Sequence, residues 1–169
     1  KIMGDYSIPY NLSTSLRLSN LNSISFVINS VYLKINGFRY KDVIRFFENT
    51  YLFDKKGFEP FLFYQMCKES KTYFGLDDWL TFVESNAKYL SLKNALIFLK
   101  NIYTKHFDKQ KVTAEQFQTN LMSFLNDIQF TRSLEKYNDV RLAEPEVRAF
   151  FEATRVLERF VLSLNMLQK

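Results

Sequence analysis

The chain has 169 residues, 47% of them apolar and 24% charged, with a formal net charge of +5. That length fits one domain, and no run approaches the roughly 18 consecutive apolar residues of a membrane-spanning helix. With only 4 Gly and 3 Pro, the chain lacks the turn residues an all-β sandwich needs.

Residues 1–11 hold Gly4 and Pro9 without a clear period and read as an extended arm or an edge strand. Between 12 and 41 two periods compete. Leu21, Ile24, Ile28, Val31 and Ile35 sit at helical spacings, while Ile24, Phe26, Ile28 and then Val31, Leu33, Ile35 alternate as in a strand. Asn36-Gly37 suits a type I′ hairpin, and equally a helix stop with Gly in the left-handed position. The Ser and Asn density of 13–25 lowers helix propensity. It tilts the expectation toward strands, with a small N-terminal β-hairpin around Asn36-Gly37.

From residue 41 the helical period is firmer. Val43, Phe46, Phe47 and Tyr51 share one side, and Asp54-Lys55-Lys56-Gly57 reads as a turn. Pro60 fits a first helical turn. Leu62, Phe63, Met66 and Tyr73 follow it, and Gly75 is the expected stop. Asp77 is expected to cap the next helix, with Trp79, Phe82, Val83 and Leu90 facing inward. After a break near Ser91, Leu92, Ala95, Leu96, Leu99, Ile102 and Tyr103 form a full apolar stripe. Thr113-Ala114-Glu115-Gln116 is a capping box opening a helix lined by Phe117, Leu121, Phe124, Leu125 and Ile128. A last helix is expected from Glu144-Pro145-Glu146 to the end of the chain, with Glu144–Arg148 as a stabilising pair. Its apolar residues, among them Phe150, Phe151, Phe160 and Leu164, spread wider than one stripe, as in a central or partner-contacting helix.

The expected architecture is therefore mainly α: a compact bundle of about six helices over 41–169, preceded by an extended or hairpin part over 1–40, together a single domain. Lys rather than Met at the first position is what a fragment of a longer protein shows.

Catalytic and metal-binding patterns are missing. Cys67 and His106 are the only thiol and imidazole, so no disulfide and no His/Cys zinc framework forms within one chain. The lone thiol removes one argument for secretion and leans the expected location toward the cell interior. Cys67 follows Phe61, Leu62, Phe63 and Met66, the setting of a small buried hydrophobe. His106 reads as a surface residue at a helix C-terminus, where a cation is favoured. Asp77-Asp78 are adjacent and do not converge on one point. Walker, nucleophile-elbow, zincin, dinucleotide-binding and EF-hand signatures are all absent. The expectation is a protein that is not an enzyme and holds no cofactor or metal.

Two features point to binding. The first is aromatic excess: 18 Phe and 10 Tyr, including the adjacent or near-adjacent groups Phe46-Phe47, Phe61-Phe63-Tyr64, Tyr73-Phe74 and Phe150-Phe151. Neighbours on a helix point about 100° apart, so either surrounding helices enclose these rings or some are left exposed for recognition. The leading expectation is an α-helical protein–protein interaction domain, a scaffold or adaptor, with a protein partner or self-association and with Ile97, Phe151 and Phe160 at the contact. The second is charge: residues 86–111 hold six lysines against the single acid Asp108, and the remainder is nearly neutral. The alternative is a sequence-nonspecific nucleic-acid surface built on Lys93, Lys100, Lys105, Lys109 and Lys111. A patch of lysines without arginine lacks the fork that reads bases.

Overall fold

The computed structural model describes residues 22–108, 112–130 and 132–133. These form six α-helices: α1 (Asn22–Ile35), α2 (Tyr40–Glu48), α3 (Pro60–Ser70), α4 (Leu76–Ser85), α5 (Lys93–Phe107) and α6 (Ala114–Asp127). A 3-10 segment, Ala87–Leu92, joins α4 to α5. The described residues contain no strand, only the isolated antiparallel bridge between Arg39 and Phe74. The arm at 1–11, the positions 12–21 and the helix expected from Glu144 lie outside the described residues.

The lean toward strands before residue 36 is corrected. A strand would put Phe26 and Ile28 on one face, as it would Leu33 and Ile35. Phe26 and Leu33 are instead buried at 2% and 1%, while Ile28 and Ile35 are 41% and 68% exposed. The buried residues are Ser23, Ile24, Phe26, Ser30 and Leu33, at helical spacing. Serine at two of these positions hides the stripe from a count of apolar residues. The helix tolerates Ser30 because its hydroxyl donates to the Phe26 carbonyl one turn back, at 2.8 Å.

Asn36-Gly37 ends α1 rather than turning a hairpin. The Phe38 amide donates to Leu33 O at 2.9 Å and the Gly37 amide to Lys34 O at 3.0 Å. With Gly37 at φ +67°, this is a Schellman stop that satisfies two orphan carbonyls.

In α2 and just beyond it, Val43, Phe46, Phe47 and Tyr51 are buried as their spacing requires. The turn at 54–57 closes with the Phe58 amide on Lys55 O, and Lys56 and Gly57 both take positive φ. Pro60 occupies the first turn of α3, whose inner stripe is Phe63, Met66 and Cys67.

The α3–α4 connection departs from expectation at two points. α3 stops at Ser70 with Lys71 in the left-handed conformation, and Gly75, at φ +94°, is the N-cap of α4 rather than a helix stop. Asp77 is consequently in the first turn, not at the cap, where its carboxylate still favours the helix dipole.

After α4, Tyr89 and Leu92 are fully buried, while Leu90, expected inside, is 48% exposed. The 3-10 winding of this segment rotates its residues away from α-helical phase. α5 lies between α4 and α6, and its stripe Ala95, Leu96, Leu99, Ile102 and Tyr103 is buried. The capping box at Thr113 forms as read: Gln116 N donates to Thr113 Oγ1 at 3.2 Å and Thr113 N to Gln116 Oε1 at 3.1 Å.

Aromatic packing joins these helices. Phe26 stacks on Phe46 and Phe130, Phe47 on Phe58, and Phe63 meets Trp79 edge to face. Such pairs add about 0.5–1.5 kcal/mol each beyond the area they bury. Phe46 and Phe47 are thus both core residues, reached by neighbouring elements on two sides of α2.

Candidate interaction surface

The structure gives each described lysine of the basic stretch a carboxylate partner. Lys88 reaches Glu69 at 2.6 Å, Lys93 Glu84 at 3.0 Å, Lys100 Asp77 at 2.7 Å and Lys105 Asp127 at 2.6 Å. The Lys88 ammonium holds Glu69 below the usual carboxylate range. Glu84–Lys93 and Asp77–Lys100 are ion pairs between α4 and α5. Ile97, on α5, is half-buried. Lysines so placed fasten helices, and their pairing lowers the net field the stretch presents to a phosphate. Lys109, Lys111, Phe151 and Phe160 lie outside the described residues.

His106 is buried, not on the surface, and the carboxylate that the local sequence does not reveal comes from α6. Its Nε2 lies 2.8 Å from Asp127 Oδ2, which also accepts from Lys105. The Lys105 ammonium foremost, and His106 after it, hold Asp127 below the usual carboxylate range. A signal for this burial exists in the sequence: Leu99, Ile102, Tyr103 and His106 continue the apolar stripe at i, i+3, i+4 and i+7. The pair ties the end of α5 to α6. Among the described residues no group of three His, Cys, Asp or Glu converges as a metal site.

Cys67 is fully buried, and desolvation pushes its thiol from 9.0 up to about 12. Only the thiolate reacts. Labelling of the native protein with a disulfide reagent is therefore expected to run at least about a hundredfold slower than in concentrated urea, where the chain is open. Fast native labelling would show that α3 opens locally. The folded state retains this proton while the unfolded chain releases it, so Cys67 withdraws stability as pH rises from 9 towards 12.

Concavities on the described surface include two beside α2. One, of about 360 Å³ between α1 and α2, has Phe26 and Phe46 beneath Asn29, Asn36, Asp42 and Arg45. Its polar groups largely engage one another: Asn36 donates to Asp42 at 3.4 Å, and Arg45 lies 3.8 Å from Asp42.

The other is a shallower depression of about 370 Å³ whose lining includes Arg39, Tyr40, Lys41, Arg45, Tyr73 and Phe74. It exists because the left-handed turn at Lys71 sends the chain back beside the start of α2. There Tyr40 N donates to Tyr73 O at 2.9 Å and Phe74 bridges to Arg39. The Trp79 indole holds this segment from below, donating to Thr72 O at 3.0 Å. Rings continue outward from the depression: Tyr40 lies 5.5 Å from Tyr73 and 6.1 Å from Tyr64 on α3. Phe61, one turn before Tyr64, is 72% exposed, Phe74 66%, and Tyr64 and Tyr73 more than 40%.

Comparison with protein-family models, curated proteins and solved structures finds no match.

Proposed function

We propose that this chain is a non-enzymatic α-helical interaction domain, of the scaffold or adaptor kind, which binds a protein partner or a second copy of itself. The observation that carries the reading is the group of exposed rings formed by Tyr64 and Tyr73, joined through Tyr40, together with the exposed Phe61 and Phe74 near them in the chain. Connected exposed aromatics mark contact sites more often than isolated apolar side chains do, and Tyr and Phe are enriched at interface centres. The absence of enzymatic activity belongs to the same proposal. It draws support from a thiol sealed in the core and an imidazole engaged by Asp127.

The test compares wild type with Phe61→Ser/Phe74→Ser, a change on the exposed face that leaves thermal unfolding nearly unaltered. Sedimentation and affinity capture from the protein's own cells are read on both. A partner or dimer present with wild type and lost with the variant supports the proposal. Identical behaviour of the two, with wild type a monomer, overturns it.

The nucleic-acid alternative on Lys93, Lys100, Lys105, Lys109 and Lys111 is distinguished by labelled oligonucleotides titrated at several salt concentrations. It requires affinity that falls steeply with salt and is lost on reversing Lys105.

A further inference from the structure

We infer that the aromatic face takes an acidic peptide segment of a partner protein, seated by one aromatic or aliphatic anchor in the depression between the start of α2 and residues 73–74. The inference rests on the interaction reading above and names the partner's chemistry.

Charge is the first argument. Arg39, Lys41, Lys68 and Lys71 are exposed, and among the described residues none is in ion-pair contact with a carboxylate. Arg39 and Lys41 flank Tyr40 at the depression. Lys68 follows Phe61 and Tyr64 on the outer stripe of α3, at i, i+3 and i+7. Lys71 begins the segment that carries Tyr73 and Phe74. The lysines of 88–105 behave oppositely, each answered by an acid. Lys41 lies over the Tyr40 ring, 5.9 Å from its centroid, and cations with no carboxylate partner beside exposed rings are complementary to an anionic ligand that also carries apolar groups.

Shape is the second. The face is concave where Arg39, Tyr40, Tyr73 and Phe74 meet, so it receives a side chain rather than inserting one into a bilayer. Its tyrosines are tilted against one another, at 36° and 60°, and do not form a parallel platform for successive bases. Asp42 also lines the depression. That carboxylate can accept an N–H or O–H from a Trp or Tyr anchor or from a peptide backbone.

The experiment uses the full chain, immobilised and panned against displayed random short peptides. Enriched peptides are expected to place Asp or Glu on both sides of a Trp, Tyr, Phe or Leu anchor. Labelled synthetic copies should lose affinity about tenfold on Arg39→Glu/Lys41→Glu. Lys68→Glu, remote from the first turn of α2, should weaken them several-fold, and all variants should keep the wild-type thermal transition. Peptides that depend on Phe74 but carry no acidic bias overturn this inference and leave the interaction reading standing. A labelled oligo-dT that binds through Arg39 and Lys41, with no peptide selected, assigns the face to nucleic acid and overturns it. Failure of wild type to select or bind anything beyond the Phe61→Ser/Phe74→Ser variant overturns the inference and the docking role of the face together.

Discussion

Tyr103→Ala is expected to cost the fold about 3–5 kcal/mol, read as a large drop in the urea midpoint at unchanged slope. Domains of this size hold only about 5–15 kcal/mol in total, so this one change brings the protein close to unfolding at ambient temperature. The side chain is 1% exposed. Its ring contacts Phe38 beyond α1, Phe46 of α2, Phe107 of its own helix and Phe124 of α6. Removing it opens a cavity walled by four rings that belong to different elements and cannot all close in together. Tyr103→Phe separates packing from polarity. It keeps the ring and removes only the hydrogen bond from the phenol to Ser30 O, 2.6 Å long and the tie from α5 to α1. About 0.5–1.5 kcal/mol is expected for that loss. If Phe proves as damaging as Ala, the hydrogen bond rather than the ring sets the position of α1. Burial also holds the phenol neutral, raising its pKa well above 10.0. The unfolded chain gives up this proton first, so stability declines as pH rises beyond 10. The decline should be shallower in Tyr103→Phe.

Trp79→Ala is the second large effect, again about 3–5 kcal/mol. Trp79 is fully buried, and its ring stands edge to face against Phe63 at 4.9 Å and 83°. Because it is the only tryptophan, the variant has to be followed by circular dichroism rather than indole fluorescence. Trp79→Phe is the more informative partner experiment. It leaves most of the packing and deletes the N–H that holds Thr72 O. Thr72 directly precedes Tyr73 and Phe74, so the expected outcome is a fold weakened by about 1–3 kcal/mol together with impaired binding at the aromatic face. Unchanged binding in Trp79→Phe would mean that the bridge between Arg39 and Phe74 positions the face unaided.

How legible the protein was depends on how local each signal is. The stripe of α5, the capping box at Thr113 and Pro60 at the start of α3 all act within one or two turns, and all appear as read. The strand-like alternation before residue 36 misled because serine occupies buried positions of α1. A hydroxyl that bonds to its own helix is polar on paper and apolar in effect.

The candidate face was half legible. The 100° step between helix neighbours leaves two outcomes for adjacent rings, enclosure by surrounding helices or exposure, and does not choose between them. Phe46-Phe47 and Tyr73-Phe74 look alike in sequence and end on opposite sides of that choice. Only the chain reversal at Lys71, which lays 73–74 beside 39–40, decides it.

The sequence by itself determined a mainly helical chain, where α3 and α6 begin, and which stripe of α5 turns inward, because helix caps and apolar periodicity act over a few residues. Tertiary structure alone decided which charges are spent and which remain. Acids 9 to 23 residues away in sequence neutralise Lys88, Lys93, Lys100 and Lys105, while Arg39, Lys41, Lys68 and Lys71 are left facing solvent beside the exposed rings. Pairing of charges depends on distances of a few ångströms across helices, and no count along the chain contains those distances.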